Sequence, residues 1–236
     1  MKRLVLTSSF AAVLTASRLD EHGLTFTSAD WNPVTYDDGK TGPAIGAYRV
    51  GKKYAELVAW ESVLGGPPQD FDSSTLPKSK THFDLVTICP PMVFGPIVHP
   101  VAKLEELNDS NTGLWKVASG QFPYPVARVP IWVDIRDVAA AHVEALLRPE
   151  VANKRFLLAA QENYSYQRVA DILRDEFDWA KDVVAEGNPG ELAPEWVKGD
   201  GEAARTALGL TYRSLKESVV DAVRQFKEMS LCESKV

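Results

Sequence analysis

This chain is short of several features that would narrow its chemistry at once. Two cysteines in 236 residues, Cys89 inside an apolar run and Cys232 in the polar tail, give neither a disulfide framework nor a metal-ligand spacing. A reducing, cytoplasmic setting fits them. The four histidines, His22, His82, His99 and His142, stand too far apart for a metal centre and read as non-catalytic. No run approaches the ~18 apolar residues of a membrane span. A net charge of −6, a pI near 5.3 and the lack of a long basic run argue against a nucleic-acid partner, which needs clustered Lys and Arg. Repeats and low-complexity tracts are also missing. One further absence is specific. No G-x-G-x-x-G or related glycine fingerprint precedes Tyr48, so the usual cradle for dinucleotide phosphates is not there.

What is present is ordinary globular composition, 45% hydrophobic and 25% charged, enough for one domain or one domain plus a small lobe. The opening Met1 to Leu6 followed by Ala11 to Ala16 has the outline of a secretory signal. Thr7-Ser8-Ser9 interrupts it, and Lys2 to Leu6 reads better as a short buried strand. Ser17 to Gly42 is loop-rich, with Trp31-Asn32-Pro33 and Asp38-Gly39 as turn signals. An apolar-striped helix is expected over Ala44 to Leu64, stopped by Gly65-Gly66-Pro67-Pro68 and followed by a polar surface excursion through Lys80. Phe83 to Cys89 is apolar and β-branched without strict alternation, as in a strand covered on both faces of a parallel sheet. Further on, helices are expected around Val101 to Leu107, Thr112 to Ser119 and Val138 to Leu147, and a strand at Arg155 to Ala159. Ser165 should cap a helix running to about Phe177, and Ser214-Leu215-Lys216-Glu217 has the capping-box pattern of a last helix. Asp134 and Asp137 precede a helix, which favours capping and loop anchoring over paired acid/base carboxylates. Lys53 is expected in solvent.

The residues that carry chemistry are Tyr48 and Lys52. Four-residue spacing puts the phenol and the ammonium on one helix face, where the Lys charge is expected to lower the phenol pKa from about 10, as a carbonyl reductase requires of its proton donor. Such a pair alone is weakly specific. Around it, however, stand Lys2-Arg3-Leu4-Val5-Leu6-Thr7-Ser8-Ser9, Trp31-Asn32-Pro33, Ala47-Tyr48-x-x-x-Lys52-Lys53-x-Ala55-Glu56, Pro90-Pro91-Met92-Val93-Phe94-Gly95-Pro96 and Val133-Asp134-Ile135-Arg136-Asp137-Val138-Ala139-x-Ala141-His142. In these blocks, in order along nearly the whole chain, the sequence resembles the extended short-chain dehydrogenase/reductases, specifically the dihydroflavonol reductase-like branch with its fungal NADPH-dependent aldehyde and ketone reductases.

The resemblance implies that Ser9 polarises a substrate carbonyl, Tyr48 donates the proton, and Lys52 holds the nicotinamide ribose while acidifying the Tyr. Hydride would come from NADP(H), with NAD(H) as the alternative. Ser8, one residue earlier on the strand, should point to the opposite face. Pro90 and Val93 would pass beside the nicotinamide, with a plain strand exit as the other reading. Relatives carry Asn where this chain has Cys89. Met92, Phe94 and Trp132 are candidates for an apolar substrate pocket, although core positions are the commoner fate of such residues. His142 sits where the family has a structural helix histidine.

The fold so implied is α/β: the C-terminal part of a Rossmann-type parallel sheet plus a small C-terminal substrate lobe. Residues 1–96 would form a partial Rossmann core with the Ser/Tyr/Lys site, and residues 97–236 the remainder of the sheet and the lobe. In the family, the Ser-bearing strand follows four βα units that include the glycine turn. At ~30 residues per unit, roughly one hundred residues would be missing. A truncated gene model, a genuine remnant and a chain completed in trans all fit. The strand at Leu4 to Thr7 would then lack a neighbour, and self-association through its exposed edge is expected. The expected function is NADP(H)-dependent reduction of a ketone or aldehyde on a small apolar metabolite, or a truncated form of such an enzyme. The alternatives are an inactive remnant that binds a partner, and a nucleotide-sugar epimerase or dehydratase using the same triad.

Overall fold

The computed structural model describes residues 1–41, 43–64 and 81–233. Its strands are β1 (Arg3–Thr7), β2 (Leu24–Phe26), β3 (Asp84–Cys89), β4 (Met92–Phe94), β5 (Trp132–Asp134), β6 (Arg155–Leu157) and β7 (Val197–Gly199). The helices are α1 (Asp38–Thr41), α2 (Ala44–Leu64), α3 (Asp109–Ala118), α4 (Ile135–Leu147), α5 (Tyr166–Glu176), α6 (Ala180–Val183), α7 (Glu202–Leu208) and α8 (Leu215–Glu233). All three sheets are parallel: β1-β3-β6, β2-β7 and β4-β5. The architecture is therefore the expected α/β one.

The chain forms two compact units, each gathered from three segments. One comprises residues 1–91, 137–159 and 196–211, the other residues 92–136, 160–195 and 212–236. The chain first passes from one to the other at Pro91–Met92.

In the first unit, β3 is the middle strand of the three-stranded sheet, and its residues from Leu85 on are buried. Two covered faces explain its unbroken apolar run. Strand β1 is different. Among the described residues it pairs only with β3, and Leu4 is 38% exposed, so the expectation of a buried strand fails and that of a bare edge holds. Arg3 fixes the other flank, donating through its guanidinium to Asp84 and to the Ala145 carbonyl (2.6 Å). His142 is structural, its ring nitrogens meeting the Val138 carbonyl (2.8 Å) and the Thr7 hydroxyl (2.7 Å).

Helix α2 runs over the whole expected span. Its apolar residues Trp60, Val63 and Leu64 pack with Leu85, Leu6 and Trp31. The glycine and proline stop at 65–68 and the excursion to Lys80 lie outside the described residues. The loop-rich stretch before α2 contains two short elements that its turn signals concealed, β2 and α1.

The second unit is helical around the β4-β5 pair. Leu114, Val117, Val169, Leu173, Val219 and Phe226 are fully buried in one core with Phe94 and Trp132. Phe94 and Trp132 stack at 5.8 Å between ring centroids, and the Trp132 indole donates to the Glu162 carbonyl (2.8 Å). These two side chains are fully buried members of the core, where ring area of that size gains most from burial; Met92 is half-buried against this core. The caps behave as read: Ser165 accepts from the Arg168 amide (3.0 Å) and Ser214 from the Glu217 amide (3.2 Å). The helix expected at Val101 to Leu107 shrinks to a single 3-10 turn, Leu104–Glu106. Gly95 sits at φ +124° where a β-carbon would lie 2.8 Å from Ile135 Cγ2, so glycine is required at this turn.

Candidate active site

Strand β1 ends at Thr7, and the next residues turn sharply into a 3-10 helix, Phe10–Ala12. Three backbone contacts hold the turn: the Ser8 amide on the Ile88 carbonyl (2.8 Å), the Phe10 amide on the Pro90 carbonyl (2.9 Å), and the Ala11 amide on the Ser9 hydroxyl oxygen (3.1 Å). Ser9 is thus the cap of the 3-10 helix in extended conformation. The Tyr48 phenol, on the first half of α2, donates to that same oxygen at 3.3 Å. Two hydroxyls 39 residues apart in sequence therefore meet, with Tyr48 49% exposed and Ser9 nearly buried. Lys52 lies one turn further along the helix and is half-buried.

Pro90 is buried and contributes its carbonyl to the Ser9 turn. Val93 belongs to β4 of the other unit, where its amide donates to Ser110 Oγ (3.2 Å) and its pair across the sheet is Val133. Ser8 has a different partner from Ser9. Its hydroxyl donates to Glu56 Oε2 (2.5 Å).

Glu56 is what the residue pattern alone missed as a partner. Tyr48, Lys52, Glu56 and Trp60 follow one another at four-residue intervals on α2, and the row runs from solvent into the core, ending with Glu56 at 1% and Trp60 at 0% exposure. A carboxylate so buried must be paired. It accepts from Arg155 Nε (2.8 Å) and Nη2 (3.2 Å), from Thr87 Oγ1 (2.7 Å), from Ser8 and from the Trp60 indole (3.4 Å). Arg155, 2% exposed, donates through Nη1 to the Ser28 (2.8 Å) and Asp30 (2.6 Å) carbonyls and lies 3.9 Å from the Trp31 ring centre. Burial alone would raise the Glu56 carboxyl; the Arg155 charge and its hydrogen bonds, with those of Ser8 and Thr87, hold it below its ordinary value. Cys89 Sγ sits 3.7 Å from Glu56 Oε2, and burial pushes the thiol up to about 12. It stays protonated and is no nucleophile. The available signal was a Glu one turn beyond Lys52 on a helix row heading inward, together with an Arg opening an apolar strand. Nothing in the sequence pairs the two.

Lys53 departs from expectation. It is half-buried, donating to the Val34 carbonyl (2.6 Å), and desolvation lowers its pKa while Asp38 opposes the shift. Asn32 explains why: buried itself, it accepts from the Val34 amide (3.0 Å) and donates to the Ala11 carbonyl (2.9 Å), so one short loop ties the Ser9 turn to the start of α2. Asp134 anchors its loop as read, accepting from the Arg136 amide (2.7 Å), the Arg136 guanidinium and Ser218 Oγ (2.6 Å). Among the described residues no cluster of His, Cys, Asp or Glu is arranged to hold a metal ion, and no helix is long and apolar enough to cross a membrane.

No family model matches the chain. It is 34% identical over 238 residues to the ketoreductase azaE of Aspergillus niger, covering 98% of this chain and 64% of the relative. It is 32% identical over 232 residues to the NADPH-dependent methylglyoxal reductase GRE2 of Saccharomyces cerevisiae, covering 95% of this chain and 63% of the relative. The crystal structure of the yeast methylglyoxal/isovaleraldehyde reductase Gre2 with NADPH superposes with a TM-score of 0.81 at 28% identity, over 98% of this chain and 65% of that one. The chain thus spans a little under two thirds of the length of the relatives it matches. Over that shared length it is similar in sequence and in fold to these NADPH-dependent reductases, in keeping with its resemblance to the dihydroflavonol reductase-like branch of the extended short-chain dehydrogenase/reductases.

Proposed function

We propose that Ser9, Tyr48 and Lys52 form the proton-donating end of an NADP(H)-dependent reductase of ketones or aldehydes on small molecules. The observation that carries this is the Tyr48 phenol meeting Ser9 Oγ at 3.3 Å beside a lysine one helical turn away. As hydride reaches a carbonyl carbon, negative charge grows on its oxygen. Two hydroxyls aimed at one point stabilise that oxygen, and the phenol supplies the proton. Lys52 holds the nicotinamide ribose, and the cofactor brings the hydride. In this reading Pro90 and Val93 border the nicotinamide, and the second unit serves as the substrate-binding lobe. The names of the relatives support NADPH over NADH and carbonyl compounds as substrates.

The glycine turn that cradles a dinucleotide pyrophosphate does not occur before Tyr48, so these residues by themselves grip only one end of the cofactor. The 236-residue chain should bind NADPH weakly and should self-associate through the unpaired edge of β1. The test compares two proteins for consumption of NADPH with small ketones and aldehydes: the chain itself, and the chain joined to the N-terminal segment of a Gre2-like relative. Turnover in the joined protein is expected. Its absence there, with NADPH bound, would remove the proposal.

A further inference from the structure

The buried pair Glu56 and Arg155 does more than fill the sheet–helix interface: we infer that it is the positioning device that brings the Tyr48 and Ser9 hydroxyls together. The inference concerns how the two groups meet, and it rests on the reductase reading only for what they do afterwards.

Its geometry is a clamp with one carboxylate at the centre. Glu56 sits eight residues after Tyr48 on α2, so the rotation of the helix that buries Glu56 also fixes where the phenol points. From the opposite side, the same carboxylate takes the Ser8 hydroxyl at 2.5 Å. Ser9 follows Ser8 directly and is itself in extended conformation, so holding the Ser8 side chain restricts where Ser9 is presented. Thr87 on β3 and Arg155 on β6 complete the grip (2.7 and 2.8 Å), and Arg155 extends it to the loop carrying Ser28, Asp30 and Trp31. One ion pair thereby joins the helix that bears the phenol to the turn that bears the serine. An apolar pair of the same volume would fill the space and stabilise the fold comparably. It would not take the Ser8 hydroxyl or fix the helix rotation through directional bonds.

That difference supplies the test, made on the full chain with isotope-labelled tyrosine rings. The Tyr48 signal is assigned by its loss in Tyr48→Phe. In the native background Ser9→Ala should shift the Tyr48 ring signal, because it deletes the acceptor. In Glu56→Gln, and in the double variant Glu56→Gln/Arg155→Met that leaves no buried charge, most of that Ser9-dependent shift should be lost. A pair that only stabilises would lower the melting temperature and leave the shift at its native size. That result in either variant overturns the inference, as does the absence of any shift in the native background. The double variant keeps the test decisive where the single one fails to fold, and no reading depends on turnover.

Discussion

Asp134 in one unit and Glu56 in the other are both buried carboxylates, and the two are held in opposite ways. Asp134 is satisfied mostly from next door: Arg136, two residues on, supplies its amide and its guanidinium, and Ser218 adds a hydroxyl. The Arg136 side chain remains 31% exposed and also reaches Asp221 (2.6 Å). Glu56 finds its cation 99 residues away, with both side chains essentially out of solvent. A local pair anchors a loop and can relax into water when one member is lost. A tertiary pair leaves a naked charge inside, so its loss should be felt across the fold.

The sharpest way to break this comparison is Arg155→Met, which strands the Glu56 charge. It should cost about 3–5 kcal/mol in urea unfolding, and Glu56→Gln/Arg155→Met should recover most of that. A single substitution costing no more than the loss of one surface pair would contradict it. The same pair gives a pH signature. Because the folded Glu56 carboxyl is held below its ordinary value, its contribution is complete above the unfolded value of about 4.3 and disappears as pH falls through the folded one. The stability gap between the native chain and Glu56→Gln should therefore be widest near neutrality and narrow below about pH 4, where a constant gap would place the effect outside the charge. Asp134→Asn should cost less, about 1–3 kcal/mol, since Arg136 can turn to solvent and Asp221; denaturation measured beside Arg155→Met gives the ranking directly. Tyr48→Phe should change stability by less than about 0.5 kcal/mol, because the phenol is half exposed and its bond is long. A larger loss would mean that Tyr48 is structural.

The contrast also explains what the sequence made readable. Asp134 was legible as a loop anchor because its partners are written beside it. The Tyr48–Lys52 pair was legible because helical spacing is local, and β3 because two covered faces leave an unbroken apolar run. Which serine faces the phenol came from the family resemblance, in which Ser9 matches the serine position, with strand alternation only setting Ser8 aside. The Glu56–Arg155 pair was not legible: it depends on β6 lying next to β3, and register between distant segments leaves no local mark. Lys53 was misjudged for a related reason. Its acceptor, the Val34 carbonyl, is a backbone atom delivered by a loop whose path Asn32 sets. Phe94 and Trp132 resembled pocket walls because large apolar residues near strand ends suit either role, and only packing decides.

The account stands or falls on the phenol. In the chain joined to a relative's cofactor-binding segment, single turnover of NADPH with a small ketone should vanish on Tyr48→Phe while NADPH binding stays at its parent value. Turnover that survives the loss of that one hydroxyl would contradict the account.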